Sequence, residues 1–181
     1  QDGNRGWRRV VASPQPVRVI EAPIIERLAR EGVMIIALGG GGIAVEETAA
    51  GELRGVEAVI DKDRASALLA SRLDVDLFAI STDTDFVYLD YKKPAQRPLS
   101  YVTASELEKH AAAGHFPPGN MGPKVESVLR FLHNGGKEAV ITSCERLGEA
   151  VEGATGTHIV PDLGTVTTKQ ITRVETPVGG W

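Results

Sequence analysis

The sequence predicts an α/β domain on a mostly parallel sheet. Three observations carry that expectation. Short continuous apolar runs alternate with segments of helical period, two of those runs end in unusual loops, one glycine-rich and one acidic, and glycines follow helical segments where caps are needed.

Taken in order, APIIERLAREG (22 to 32) puts Ile24, Ile25, Leu28 and Ala29 on one helical face and stops at Gly32. VMIIAL (33 to 38) is a continuous apolar run of strand length, suited to a parallel strand buried on both faces. It ends in Gly39, Gly40, Gly41 and Gly42. In VEAVIDKDRASALLASRL (56 to 73) an apolar run turns into a helix, and VDLFAIST (75 to 82) reads as a second buried strand with Asp83 and Asp85 at its C-terminal end. TASE (103 to 106) matches a capping box and starts another helix. In GPKVESVLRFLHNGG (122 to 136), Pro123 suits the first turn, Val125, Val128, Leu129 and Leu132 share a face, and Gly135 suits the C-cap. EAVIT and then ERLGEAVEG give one more strand and helix. No internal repeat is visible, and the composition shifts only after Pro161, into a tail containing Thr and Gly.

Composition narrows the function classes. A chain of 181 residues, 42% hydrophobic, suffices for one ordinary domain with a real core. Its net charge of −4 supplies no broad basic surface, so no nucleic-acid partner is expected; RGWRR (5 to 9) is the one dense basic spot. A single cysteine, Cys144, cannot make an internal disulfide, and no apolar stretch approaches the roughly 18–20 residues of a membrane span. A reducing cytoplasm and no membrane are the default expectations. The opening QDGNRGW has no initiator Met, apolar signal core or cleavage pattern and reads as a fragment or a processed chain.

In open α/β sheets, ligands gather at the C-terminal ends of the strands. The glycine run there lets backbone N–H groups approach an anion closely, or equally makes a tight turn with no ligand. It does not match GxGxxG, because Ile43 takes the fourth position of that template, and it lacks the GK[ST] ending of a P-loop. Lys62 sits at a helix start, where the partial positive charge favours anions by about 0.3–1 kcal/mol and a lysine forgoes that gain unless an anion joins it. Lys124 follows Gly122 and Pro123 at a second helix start. Two such lysines either converge on one anion, for which a polyphosphate fits, or are solvated separately. Asp63 beside Lys62 either caps its helix or holds the lysines in register. Asp83 and Asp85 are turn residues or ligand contacts, and nearby Tyr88 offers a flat face for a base. His110, His115, His133 and His158 form no zinc-type spacing, and Ser81, Ser143 and Cys144 have no nucleophile-elbow context.

Six stretches, RGWRRVVASPQP, ALGGGGIAV, GVEAVIDKDRASALLA, STDTDFVYLDYKKP, GHFPPGNMGPKVESVLRFL and EGATGTHIV, occur in the order and spacing of the carbamate kinases, and the chain resembles that branch of the amino acid kinase family from about Arg5 to Val160. VIDKD and MGPKV together separate this branch from acetylglutamate, aspartate and uridylate kinases. The resemblance implies a three-layer α/β/α fold, usually a homodimer, catalysing reversible phosphoryl transfer between ATP and carbamate with Mg2+. Carried over by position, Lys62 and Lys124 would neutralise the transferring phosphoryl group and Asp63 would orient them. Thr82, Asp83 and Tyr88, with Met121, Gly122 and Pro123, would contact adenine and ribose. Gly39 to Gly42 would line the carbamate and phosphate side.

The resemblance also implies what differs. Family members carry an N-terminal half, with its own GGNA-type loop and a smaller closing subdomain, and a further lysine just upstream of RGWRR. Ala12 and Ala44 stand where proline is usual, and Gln15 where lysine is common. The expectation is therefore that residues 1–161 form the C-terminal, ATP-binding portion of such a kinase with its N-terminal part missing, and that 162–181 are an extension without an assigned role. Three readings stay open: that catalytic half, a non-catalytic nucleotide-binding or regulatory subunit of the same fold, and a structural assembly subunit. Loss of N-terminal strands would expose a sheet edge, so association with a second copy or a complementing N-terminal piece is expected.

Overall fold

The computed structural model describes residues 6, 7, 9–117 and 119–162. The predicted extension, apart from Asp162, lies outside the described residues, as does part of RGWRR.

Helix α1 (Ala22–Arg30) follows the predicted span, with Pro23 in its first turn and Gly32 in the left-handed region just beyond its end. Helix α2 (Lys62–Leu73) buries Ala65, Ala67, Leu69 and Ala70, and its small side chains allow close packing. Strand β3 (Phe78–Thr82) follows, after the exposed hairpin β1 (Val45–Glu47) and β2 (Leu53–Gly55) earlier in the chain. Strands β4 (Val87–Leu89) and β5 (Arg97–Leu99) make a second antiparallel pair. Strand β6 (Tyr101–Thr103) leads into α3 (Ala104–Ala112) through the predicted capping box, in which Thr103 and Glu106 satisfy each other's backbone N–H groups. Helix α4 (Met121–His133) buries Val125, Val128, Phe131 and Leu132, and ends as Gly135 takes φ 92°. Strand β7 (Ala139–Ser143), a 3-10 turn, helix α5 (Leu147–Val151) and β8 (Thr157–Val160) complete the described chain.

The central sheet has the order β3-β7-β8-β6. Strand β3 runs parallel to β7, from Phe78 opposite Ala139 to Thr82 opposite Ser143, and β6 runs parallel to β8. The middle pairing, β7 with β8, is antiparallel, so the sheet is mixed with most of its pairings parallel. Alternation along β7 separates two layers. Ala139 and Ile141 join the main core with Val128, Phe131 and Leu132 of α4, and Phe131 stacks obliquely on Phe78, ring centroids 5.3 Å apart. On the opposite face, Gly156 approaches so near that an added Cβ would lie 3.0 Å from Val140, 3.2 Å from Thr142 and 3.3 Å from Ala150 of α5. Helices therefore cover both faces, giving the three-layer α/β/α arrangement. Each fully buried Val, Leu, Ile or Phe of this core contributes roughly 1.5–3 kcal/mol.

Thr157 ties the outlying β4–β5 pair to the sheet. Its hydroxyl oxygen accepts from the Val87 N–H at 2.8 Å and donates to the Leu99 carbonyl.

VMIIAL departs from expectation. The run joins no strand ladder among the described residues, ends on Leu38 at φ 65°, and is not buried on both faces. Ile35, Ala37 and Leu38 pack against Ile25 of α1 and Leu69 of α2, whereas Met34 and Ile36 are 93% and 97% exposed. From Met34 to Ala37 exposure alternates as in a strand, but among the described residues no hydrogen-bonded neighbour joins it, and apolar composition alone cannot supply one.

Candidate functional site

Connectivity brings Lys62, Lys124 and Thr82 to one end of the sheet, whereas Tyr88 lies on β4 in a separate two-stranded sheet. Helix α2 enters β3 through a short turn, and α4 enters β7 in the same way. Because β3 and β7 are parallel, the N-termini of both helices lie at the end where Thr82 and Ser143 finish their strands.

Asp61, rather than Asp63, caps α2: its Oδ1 accepts from the backbone N–H groups of Asp63 at 2.9 Å and Arg64 at 3.0 Å. That corrects one of the two roles open to Asp63 and leaves its carboxylate for the lysines. Lys62 Nζ donates to Asp63 Oδ1 at 2.6 Å and Lys124 Nζ donates to Asp63 Oδ2 at 3.0 Å. One carboxylate thus grips both ammonium groups across two helix entrances. Asp63 and Lys124 are only 7% and 8% exposed, whereas the Lys62 side chain is 54% exposed and turns its remaining N–H donors to solvent. Burial pushes the Asp63 carboxyl up, but its bonds to Lys62 and Lys124 outweigh burial and hold it below the ordinary aspartate value.

The glycine run abuts the same entrance. Gly41 has φ 132°, and a Cβ there would lie 2.0 Å from the carbonyl oxygen of Ile60, the residue before the cap Asp61. Only glycine lets the two backbones meet so closely. Around Gly39, Gly40 and Gly42 the space is open. At the start of α4, Gly122 donates its N–H to the Pro117 carbonyl at 3.2 Å, and a Cβ on it would come within 2.9 Å of that oxygen. Met121, Gly122 and Pro123 form the first turn that presents Lys124.

Thr82 and Asp83 stand at the end of β3, with the Thr82 hydroxyl donating to Asp83 Oδ1 at 3.1 Å. Tyr88 lies on β4 in a run of aromatic rings, 6.3 Å from Phe86 and 5.9 Å from Tyr91 between centroids. Asp85 accepts from Ser143 Oγ at 2.6 Å, joining the ends of β3 and β7. The residues unforeseen in the sequence are Asp61, for which the N-cap preference was an available signal, and Arg64 and Glu126, whose contact joins positions 62 apart.

The two ammonium groups and the glycine loop of this open α/β/α domain lie towards the C-terminal end of its parallel strands, where such sheets bind their ligands. The match of the amino acid kinase family to residues 3–143 goes further, and the chain belongs to that family. It is 47% identical over 160 residues to a carbamate kinase-like protein of Escherichia coli (strain K12), covering 88% of this chain and 51% of that protein. It is 49% identical over 160 residues to the carbamate kinase of Thermococcus kodakarensis, covering 88% and 50%. Among solved structures, the carbamate kinase from Giardia lamblia bound to AMP-PNP superposes with a TM-score of 0.85 at 40% identity, over 90% of this chain and 51% of that one. The chain spans about half the length of the curated relatives it matches.

Proposed function

We propose that this chain supplies the nucleotide-binding half of a carbamate kinase, catalysing reversible phosphoryl transfer between ATP and carbamate to give ADP and carbamoyl phosphate. The observation that carries this reading is the single carboxylate of Asp63 holding the ammonium groups of Lys62 and Lys124 together at two helix entrances. The similarity to carbamate kinases, one of them bound to AMP-PNP, supports the same conclusion.

Phosphoryl transfer asks a protein mainly for positioning and charge neutralisation, so lysines and backbone amides suffice without a nucleophilic side chain. Lys62 and Lys124 neutralise the migrating group, Asp63 orients them, and Gly39 to Gly42 line the phosphate and carbamate side. Thr82, Asp83 and Tyr88 receive the base and ribose together with Met121, Gly122 and Pro123. Carbamate provides the attacking oxygen.

Magnesium enters this reading with the nucleotide polyphosphate, its usual carrier. The protein does not fit a resident ion at the lysine pair: Asp63 gives both oxygens to lysines, and the described residues contain no cluster of three or more His, Cys, Asp or Glu side chains able to hold a metal.

Residues 1–161 form the ATP-binding portion in this reading, and 162–181 extend it. The assembly in this reading is a homodimer or a pairing with a complementing N-terminal piece; among the described residues β3 ends the central sheet on one side, and Met34 and Ile36 are exposed. The setting is the cytoplasm, in keeping with the free Cys144, and the reaction serves arginine metabolism. No helix of the described residues is long and apolar enough to cross a membrane.

Calorimetric titration with ADP, and ATP formation from carbamoyl phosphate and ADP with the N-terminal half supplied, test the proposal. Removing one charged hydrogen bond costs about 1.5–3 kcal/mol, so Lys62→Ala should weaken nucleotide binding or transfer about ten- to a hundredfold. Lys62 is half exposed, and Lys124 still holds Asp63 when it is removed, so the fold should stay intact in Lys62→Ala. Unaltered binding and turnover in Lys62→Ala would refute the assignment.

A further inference from the structure

Two links, not one, join the entrances of α2 and α4. Beside the buried Asp63–Lys124 contact, Arg64 Nη2 donates to Glu126 Oε2 at 2.8 Å. Each partner of this second link lies within two residues of a partner of the first, so a slide or rotation of either helix disturbs both. The second carboxylate oxygen of Glu126 accepts from Gln15 Nε2 at 2.8 Å, and Gln15 Oε1 accepts from Arg130 Nη1 at 2.6 Å. Arg130 is one turn beyond Glu126 on α4. The N-terminal arm is thereby clamped over the outer side of the same junction, which it also reaches through the Val59 N–H bond to the Ala12 carbonyl at 2.9 Å.

We propose that Arg64 and Glu126, braced by Gln15 and Arg130, are positioning residues that set the register of α2 against α4 and so hold Lys124 on Asp63. The assignment rests on the reading of the lysine pair as the phosphoryl-neutralising groups. None of the four needs to touch substrate. An Arg guanidinium suits the role, because its planar fork keeps a defined direction that a lysine would not.

The charged groups flanking Asp63 are Asp61, Lys62 and Arg64 at its own helix entrance, and Lys124 and Glu126 on α4. They give the test a sign. Removing the Glu126 charge by electrostatics alone favours the ionised Asp63 and lowers its titration midpoint; letting Lys124 drift from Asp63 raises it.

The experiment is a 13C NMR titration of the Asp63 carboxyl in the full chain and in Glu126→Ala, with circular dichroism to establish folding. We expect the midpoint to rise by about half a pH unit or more. Glu126→Gln, isosteric and uncharged, is the second variant should the alanine form not fold, and it should give a smaller rise of the same sign. The exchange Arg64→Glu with Glu126→Arg should return the midpoint toward its original value. A midpoint that holds or falls in the folded variant overturns the strut. The readout does not depend on nucleotide, so a chain that fails to bind ADP would count against the kinase reading and leave this result standing.

Discussion

Replacing Asp63 with Asn removes one charge at nearly constant shape. The carboxylate offers an oxygen to each lysine, at 2.6 and 3.0 Å, whereas the amide keeps one acceptor and turns an NH2 donor toward the other ammonium. Lys62 is half exposed and rehydrates, so its loss costs little. Lys124 is 8% exposed, and stranding a buried charge costs about 3–5 kcal/mol. Its flexible stem lets the head move partway to water, which places the expected loss near the lower end, about 3 kcal/mol. For a chain of this size that lowers Tm by roughly 6–12 °C. The loss has a pH signature. The folded carboxyl titrates below its ordinary value because the two lysine bonds outweigh burial, so the unfolded chain binds the proton more readily. The stability due to Asp63 is complete above about pH 4 and drains away as pH falls through the folded value. Urea unfolding of both proteins, at neutral pH and stepwise into acid, measures the gap. It should be widest at neutral pH and close in acid. Equal stability at neutral pH, or a gap that stays constant into acid, would refute the claim that this carboxylate holds the lysines.

Two further substitutions probe the scaffold. Gly41→Ala places a Cβ 2.0 Å from the Ile60 carbonyl at φ 132°; the backbone strain alone costs about 1–3 kcal/mol, and the overlap displaces the entrance of α2. Denaturant unfolding should show that loss, and ADP affinity should fall with it; a variant of parental stability would mean that the two backbones do not meet. Thr157→Val deletes the acceptor of the Val87 N–H and the donor to Leu99, leaving buried groups unpaired at a cost of about 1–3 kcal/mol. Hydrogen exchange at Val87 should accelerate in this variant, and an unchanged rate would show that the β4–β5 pair is held by other contacts.

Elements whose cause is local were legible in the sequence. TASE folds as the capping box because both partners lie within one turn, and α4 follows from its apolar spacing, Pro123 and Gly135. VIDKD and MGPKV were recognisable as motifs, and the meeting of their lysines follows from parallel strands fed by two helices. VMIIAL was misread because a ladder is a property of neighbours, while the sequence registers only apolar content. The antiparallel pairing of β7 with β8 and the short strand β6 are likewise set by contacts between distant segments, whereas β4 and β5 pair with each other locally and are tied to the sheet by the distant Thr157. Asp63 was open to two roles because Asp61 and Asp63 both precede helical pattern, and only the backbone separates cap from bridge. Arg64 and Glu126 carried no signal, since single surface charges far apart in sequence have no period.

The shared carboxylate has a consequence for selectivity. Lys62, Asp63 and Lys124 together carry one unit of positive charge rather than two, already mutually neutralised at rest. A small halide therefore meets a weak field and gains little by displacing water. Under the proposed function, a chain of several phosphates that reaches both ammonium heads adds up modest attractions that a single small anion cannot, so discrimination would come from the reach and valence of the guest.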